Sequence, residues 1–435
     1  MTRRCAVLTL IARLNGAVYR CLNMNFGLYS LEPEIHIVLK IKTDFNFTMK
    51  EITTNKLKDI TESLLHYKED DIGLFSGICG QILFFSNSKK NDFRDLIKRN
   101  IELVISKINN GYNYPTFCFG IAGVVWTIEH LISKKLIERK DAVLLYQLDE
   151  YLYRMMHSEI KNRNYDFLHG SIGIGVSLCK RKSSNIALKG VIELVESLYD
   201  DRIVQSGNSM AWEFKVWDGE SFRKVVNLSL SHGMASIISF CSLLLKSGID
   251  NVKIRSVLNG AANYFVQYLA KPRINESIFP SWVENGEPLY PSRMAWCYGD
   301  VGIASALFSA HEATGTSEFK DAALEIFSHN ATRRCKWLVD PGFCHGAAGL
   351  SHMYRRIYNK TGIQSYCDTS NYWLQVLMNM AIYEDGIAGY KINNNFDSER
   401  VKSYDLLDGV SGIGLVLQEV EKKRECTWEE CFLLV

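Results

Sequence analysis

A short glycine turn recurs seven times along this chain: SGICG at 76–80, FGIAG at 119–123, HGSIG at 169–173, HGMAS at 232–236, YGDVG at 298–302, HGAAG at 345–349 and DGVSG at 408–412. The first glycines are Gly77, Gly120, Gly170, Gly233, Gly299, Gly346 and Gly409, spaced 43 to 66 residues apart. Each interval has room for two helices and their connections. The fourth copy departs from the pattern, with Ser236 in place of the second glycine. Apolar residues at helical spacing follow several turns, among them Ile121, Val124, Val125 and Ile128, then Leu350, Met353, Tyr354 and Ile357, then Ile413, Val416, Leu417 and Val420. More polar amphipathic segments, such as 319–334, lie between the turns. Glycine suits the turn because it accepts positive φ and lets another backbone come close.

The expected fold is therefore all-α: seven helical hairpins, each with a buried helix preceded by a glycine turn. One hairpin cannot bury its own apolar face, so neighbours must stack. No polar capping repeat is evident, which favours closure into an α/α toroid over an open solenoid. The longer intervals hold insertions. Residues 200–228 are partly strand-like and predict a small elaboration, whereas 271–295 read as a long loop before Cys297.

Residues 1–48 fit the repeat poorly and read as an N-terminal extension to a single toroid domain at 49–435. Ile35, Ile37, Leu39 and Ile41 alternate as in a strand, and Met49 offers an alternative native start. A basic, short apolar beginning invites comparison with a signal peptide, but Arg13 interrupts it and no small-residue cleavage site follows. The formal charge of +2 over 435 residues gives no electrostatic case for nucleic-acid binding. No apolar run is long enough to span a bilayer, and the expected location is the cytoplasm. The twelve cysteines then read as buried thiols with a few available for metal or catalysis, not as a disulfide framework.

Aligned on the first glycine, the turns bring polar residues into register. Cysteine stands two places before it as Cys118, Cys297 and Cys344; histidine stands one place before it as His169, His232 and His345; aspartate stands four places before it as Asp166 and Asp405. In a ring of hairpins these positions share one pole. Cys297, Cys344 and His345 form a candidate zinc set: thiolate and imidazole suit the ion, and three protein donors leave a fourth position open. The competing reading is a packed Cys-His core, the commoner fate of such pairs. Cys118 shares the register but reads as buried.

RMAWCYGD at 293–300, FCHGAAGL at 343–350, SLSHGMAS at 229–236 and YDFLHGSIG at 165–173 resemble motifs of the lanthionine synthetase C-like cyclases. The resemblance extends over all seven turns and is strongest to stand-alone class I lantibiotic cyclases of the nisin and subtilin type. It implies a toroid with one zinc ion held by Cys297, Cys344 and His345, His232 as acid/base, Asp166 and Arg293 in the active site, and Tyr298 beside it. It implies an enzyme that adds peptide cysteine thiols to dehydroalanine or dehydrobutyrine, closing (methyl)lanthionine rings in a dehydrated precursor peptide with its leader. It further implies a dehydratase and an ABC exporter as partners, at the inner face of the cell membrane. Val301 stands where the family usually has proline, a difference that touches the stiffness of the turn and not the donors. His169 receives no role from the family and reads as structural.

Three rival readings remain at this point. Prenyltransferases also activate a peptide thiol on zinc, but their ligand set includes an aspartate. Toroidal glycosidases need paired carboxylates, for which Asp166 and Asp405 are available, but they leave the Cys/His cluster without a purpose. A non-catalytic zinc-containing scaffold binding peptides or glutathione would carry the same motifs.

Overall fold

The structure, a computed structural model, describes residues 32–435 except 89–92, 143, 218–220, 272–275, 291, 334–339, 394–398 and 421–425, with side chains described from residue 49. The chain divides into two compact units, Met1–Thr53 and Thr54–Val435. Helix α1 covers Glu32–His66. The alternation at Ile35–Ile41 thus lies in a helix, not in a strand. Four alternating positions are a weak signal, and extending an existing helix is easier than starting another element. Residues 1–31 of the proposed extension lie outside the described residues.

In the second unit every glycine turn opens a helix. These are α2 (Ile78–Ser86), α4 (Ile121–Ser133), α6 (Ser171–Cys179), α8 (Met234–Lys246), α10 (Asp300–Thr314), α12 (Ala347–Thr361) and α14 (Val410–Glu419). They form an inner ring, each touching the next, and α14 returns to touch α2. Burial explains their composition: every residue of α6 is buried, so the helix is apolar all round. Between them run α3 (Arg94–Asn109), α5 (Leu144–Lys161), α7 (Asn185–Asp200), α9 (Val252–Leu269), α11 (Ser317–Ala331) and α13 (Gln364–Asn379). These outer helices are amphipathic; α5 buries Leu145, Leu148, Asp149, Leu152 and Met156 on one stripe. The result is a closed α/α toroid.

Of the two reasons expected for glycine, close backbone approach holds at every turn and positive φ at one. Six of the first glycines have φ between −92° and −150°, and only Gly299, at +134°, needs the left-handed region. What all seven share is crowding: a Cβ would sit 1.8–2.6 Å from the carbonyl oxygen six residues earlier. The turn folds back on itself too closely for any side chain.

Successive turns are tied around the ring through their backbones. Phe75 N–H donates to Cys118 O (3.0 Å), Cys118 N–H to Leu168 O (3.0 Å), Leu230 N–H to Cys297 O (3.0 Å), Cys297 N–H to Cys344 O (3.2 Å), Cys344 N–H to Leu407 O (2.9 Å) and Leu407 N–H to Phe75 O (3.2 Å). The junction between Leu168 and Leu230 is spanned instead by side chains of the candidate site, Asp166 and His232.

The elaboration at 200–228 contains β1 (Ile203–Val204), β2 (Met210–Ala211), β3 (Phe214–Trp217) and β4 (Phe222–Asn227). The segment 271–295 is not the expected loop. Its β5 (Trp282–Glu284) and β6 (Glu287–Leu289) extend β3–β4 into a four-stranded antiparallel sheet, with Val226 opposite Val283. Asn285 and Gly286, with φ of 50° and 86°, make the tight hairpin turn for which Asn-Gly is the favoured pair. A final two-stranded pair, β7 (Ile392–Asn393) and β8 (Arg400–Val401), precedes the last turn.

Inside the ring lies the segment 427–435, of which Thr427–Phe432 is a 3₁₀ helix. Trp428, Cys431, Phe432 and Leu433 are completely buried. No helix among the described residues is long and apolar enough to cross a membrane.

Candidate metal centre

Three registers of the repeated turn build the pole of the ring. Three places before the first glycine stand Leu74, Phe117, Phe167, Leu230, Trp296, Phe343 and Leu406, all completely buried. They floor the site. The cysteines come next, and one place before glycine stand Ser76, Phe119, His169, His232, Tyr298, His345 and Asp408. The rings of Phe119, His169, His232 and Tyr298 follow one another at centroid distances of 5.3, 5.9 and 5.9 Å. His345 Nδ1 lies 3.6 Å from Asp408 Oδ1. The expected convergence of distant turns is thus met.

Cys297, Cys344 and His345 each present a donor atom within 4.8 Å of the others, and among the described residues they are the one such group able to hold a metal ion. The hydrogen bond from Cys344, with help from His345 and against the effect of burial, holds the Cys297 thiol well below its ordinary range. One sulfur of the pair is thus eased toward the thiolate form that metal binding requires. Cys118 is buried and outside the cluster; burial and nearby carboxylates raise its thiol well above the usual value. Asp408 Oδ1 is buried without a hydrogen-bond partner, 3.6 Å from Nδ1 of the candidate ligand His345. Carboxylates in that place orient metal-binding imidazoles. Asp408 went unrecognised in the sequence, although it occupies the same turn position as His345.

His232 Nδ1 and Asp166 Oδ2 are 2.6 Å apart. Burial works against charge on the imidazole, but the Asp166 carboxylate outweighs it, and the pKa of His232 is raised. Asp166 is correspondingly lowered: its burial is overcome by the charge and hydrogen bond of His232. Asp166 also caps its turn, Oδ1 accepting the His169 N–H at 2.7 Å. The carboxylate thus bonds two partners, one through each oxygen. Asp405 at the equivalent place accepts the N–H groups of Asp408 and Gly409, at 2.8 and 2.7 Å, and the hydroxyl of Ser403; its bonds hold the turn.

Tyr298 accepts a hydrogen bond from Asn227 Nδ2 at 3.1 Å, beside His232. The hydrogen bond to Cys297 and burial hold the Cys344 thiol well above its ordinary range, and the charge of exposed Arg293 only partly opposes this. His169 is exposed, and burial of its ring surroundings together with the charge of His232 lowers its pKa despite Asp166. A cleft of ≈ 560 Å³ leads to this group, lined by Asp166, His169, Phe214, Phe222, His232 and Tyr298 among others. Its far side is the β3–β4 hairpin, so the inserted sheet walls the approach to the pole.

A curated relative, the nisin biosynthesis protein NisC of Lactococcus lactis subsp. lactis, is 22% identical over 397 residues, covering 84% of this chain and 89% of that protein. The solved structure of nisin cyclase superposes with a TM-score of 0.66 at 18% identity, over 90% of this chain and 98% of that one. The profile of the family described as lanthionine synthetase C-like protein matches residues 68–433. The protein belongs to the lanthionine synthetase C-like family.

Proposed function

We propose that this protein is a zinc-dependent peptide cyclase that adds cysteine thiols to dehydroalanine or dehydrobutyrine in a precursor peptide. The observation that carries this reading is the meeting of two thiols and an imidazole at the same pole of the ring as a His-Asp pair that lines a cleft. Membership of the family, and the likeness to nisin cyclase, support it.

Cys297, Cys344 and His345 would hold the ion. The donor set fits zinc: two thiolates and an imidazole match its softness and leave a position for a substrate sulfur. An ion held by these three residues would supply the acidity that keeps a substrate thiol deprotonated near neutral pH, where a free thiol of pKa about 8.5 is mostly protonated. In the addition a C–S bond forms, the C=C π bond breaks, and a proton lost from sulfur is matched by one gained at Cα, so mass is unchanged.

His232 is the donor of that Cα proton. Held by Asp166, it keeps its proton to a higher pH than a free histidine, and solvent restores the proton after each turnover. Arg293 supplies a permanent positive charge at the rim for the developing enolate. Tyr298 and Asn227 shape the wall beside the imidazole. A dehydratase and an exporter at the inner face of the membrane are the partners this activity calls for.

The test is incubation of the purified protein, with zinc, with a dehydrated precursor peptide. Loss of alkylatable thiols without a mass change supports the cyclase; peptide binding without ring closure would point to a scaffold instead.

Two further outcomes are expected. Asp166→Asn removes the charge that raises the His232 pKa, so the protonated imidazole is lost at lower pH. The alkaline limb of the rate profile should move to lower pH, as measured by initial rates across a pH series. Asp408→Asn should weaken zinc binding about 10- to 100-fold, the usual effect of losing a carboxylate behind a metal-bound imidazole. Competition with a chromogenic chelator measures this directly.

A further inference from the structure

We infer that the segment 427–435 is the positioning element of the candidate metal centre, with Phe432 gripping the two turns that carry the cysteines. The inference rests on the proposed metal-binding reading and adds a role for residues outside it.

Phe432 touches the residue immediately before each cysteine. Its ring lies 3.9 Å from that of Phe343 and 5.3 Å from that of Trp296, centroid to centroid. Its carbonyl accepts the Trp296 Nε1–H at 2.8 Å. Cys297 and Cys344 follow these aromatic residues directly, and His345 follows Cys344. All three donors therefore hang from two side chains that meet on one ring. Phe75, from the turn bonded to the other side of the Cys344 turn through Leu407, packs on the same ring at 5.0 Å.

The segment is itself fixed to the inner helices. Glu429 accepts from Arg356 at 3.2 Å and pairs with His352 at 2.9 Å; Glu430 accepts from Trp126 at 3.0 Å and Lys180 at 2.7 Å. Val435 O accepts from Ser309 at 2.7 Å and Arg356 at 2.6 Å. These partners lie on α4, α10 and α12 and just beyond α6, so the segment ties four parts of the ring to one point. A site made of donors from separate turns needs such a reference, because their spacing must hold within about half an ångström. One backbone hydrogen bond, Cys297 N–H to Cys344 O, is otherwise the direct link between the cysteine turns.

Mere core filling makes a different prediction, and metal binding separates the two. The full chain, stripped of metal, is titrated with Co²⁺ for its thiolate charge-transfer absorption, and zinc affinity is measured by chelator competition. Phe432→Leu and Trp296→Phe should each weaken zinc binding about 10- to 100-fold, the range for losing groups that orient ligands, and should alter the cobalt spectrum with helical content unchanged. Trp296→Phe keeps an aromatic ring against Phe432 and removes the N–H donor with one ring of the indole, so it decides the matter should Phe432→Leu not fold. Phe84→Leu is the control: that ring is equally buried, and its aromatic neighbour is Phe85, away from the cysteine turns. It should lose thermal stability and keep wild-type affinity and spectrum.

Wild-type affinity and spectrum in Phe432→Leu, or in Trp296→Phe where the former does not fold, overturn the inference and leave the metal centre standing. Equal weakening in Phe84→Leu overturns it too, as general softening. A wild-type protein that binds neither ion refutes the metal centre itself.

Discussion

Cys344→Ala is expected to lose bound zinc and ring formation together. Its thiol is one of three donors within 4.8 Å, and its hydrogen bond is the main cause that lowers the pKa of Cys297. One substitution thus removes a ligand and weakens the readiness of another. With two protein donors left, affinity falls steeply, because a metal site needs its full ligand count and geometry. Metal analysis of the purified variant, alongside thiol alkylation of the peptide product, checks both halves. Full cyclisation by a zinc-free Cys344→Ala protein would defeat the scheme. The fold should survive, since the backbone bonds through Cys344 N and O do not involve its sulfur.

His232→Ala should behave in the opposite way: zinc retained, cyclisation slowed by about 10²- to 10⁴-fold, the usual contribution of a positioned proton donor. The imidazole bonds to Asp166, not to any member of the Cys/Cys/His cluster, so removing it leaves the donors in place. The loss should fall in kcat, because the proton is delivered after the peptide is bound. Wild-type rates in this variant would assign the Cα proton to another group, with exposed His169 in the same cleft as the next candidate.

Much of the site was legible because the repeat is legible. Once the seven glycines are aligned, residues at fixed offsets must share a pole of the ring, and Cys297, Cys344, His345, His232 and Asp166 stand in that register beside Cys118, His169 and Asp405; the family resemblance selected among them. The closed ring followed from hairpins with no polar cap. What escaped reading did so for identifiable reasons. Asp408 carries no motif of its own and gains meaning only beside His345. Trp296 and Phe343 look like ordinary core residues until Phe432, 136 residues beyond Trp296, is seen between them. The Asn285-Gly286 hairpin was readable but was masked by the loop-like composition around it. Of the two properties expected of glycine, the lack of a Cβ is needed at all seven turns and positive φ at Gly299 alone.

The filled centre of the ring has a consequence for how a long peptide could be handled. Trp428 and Phe432 stop the annulus like a cork, so no chain can be drawn through it from one face to the other. On the proposed cyclase reading, a peptide reaching the cysteines would arrive and depart by the same mouth. Each closed loop would therefore have to back out before the next thiol is offered, and the bulk of loops already made sets no limit on passage.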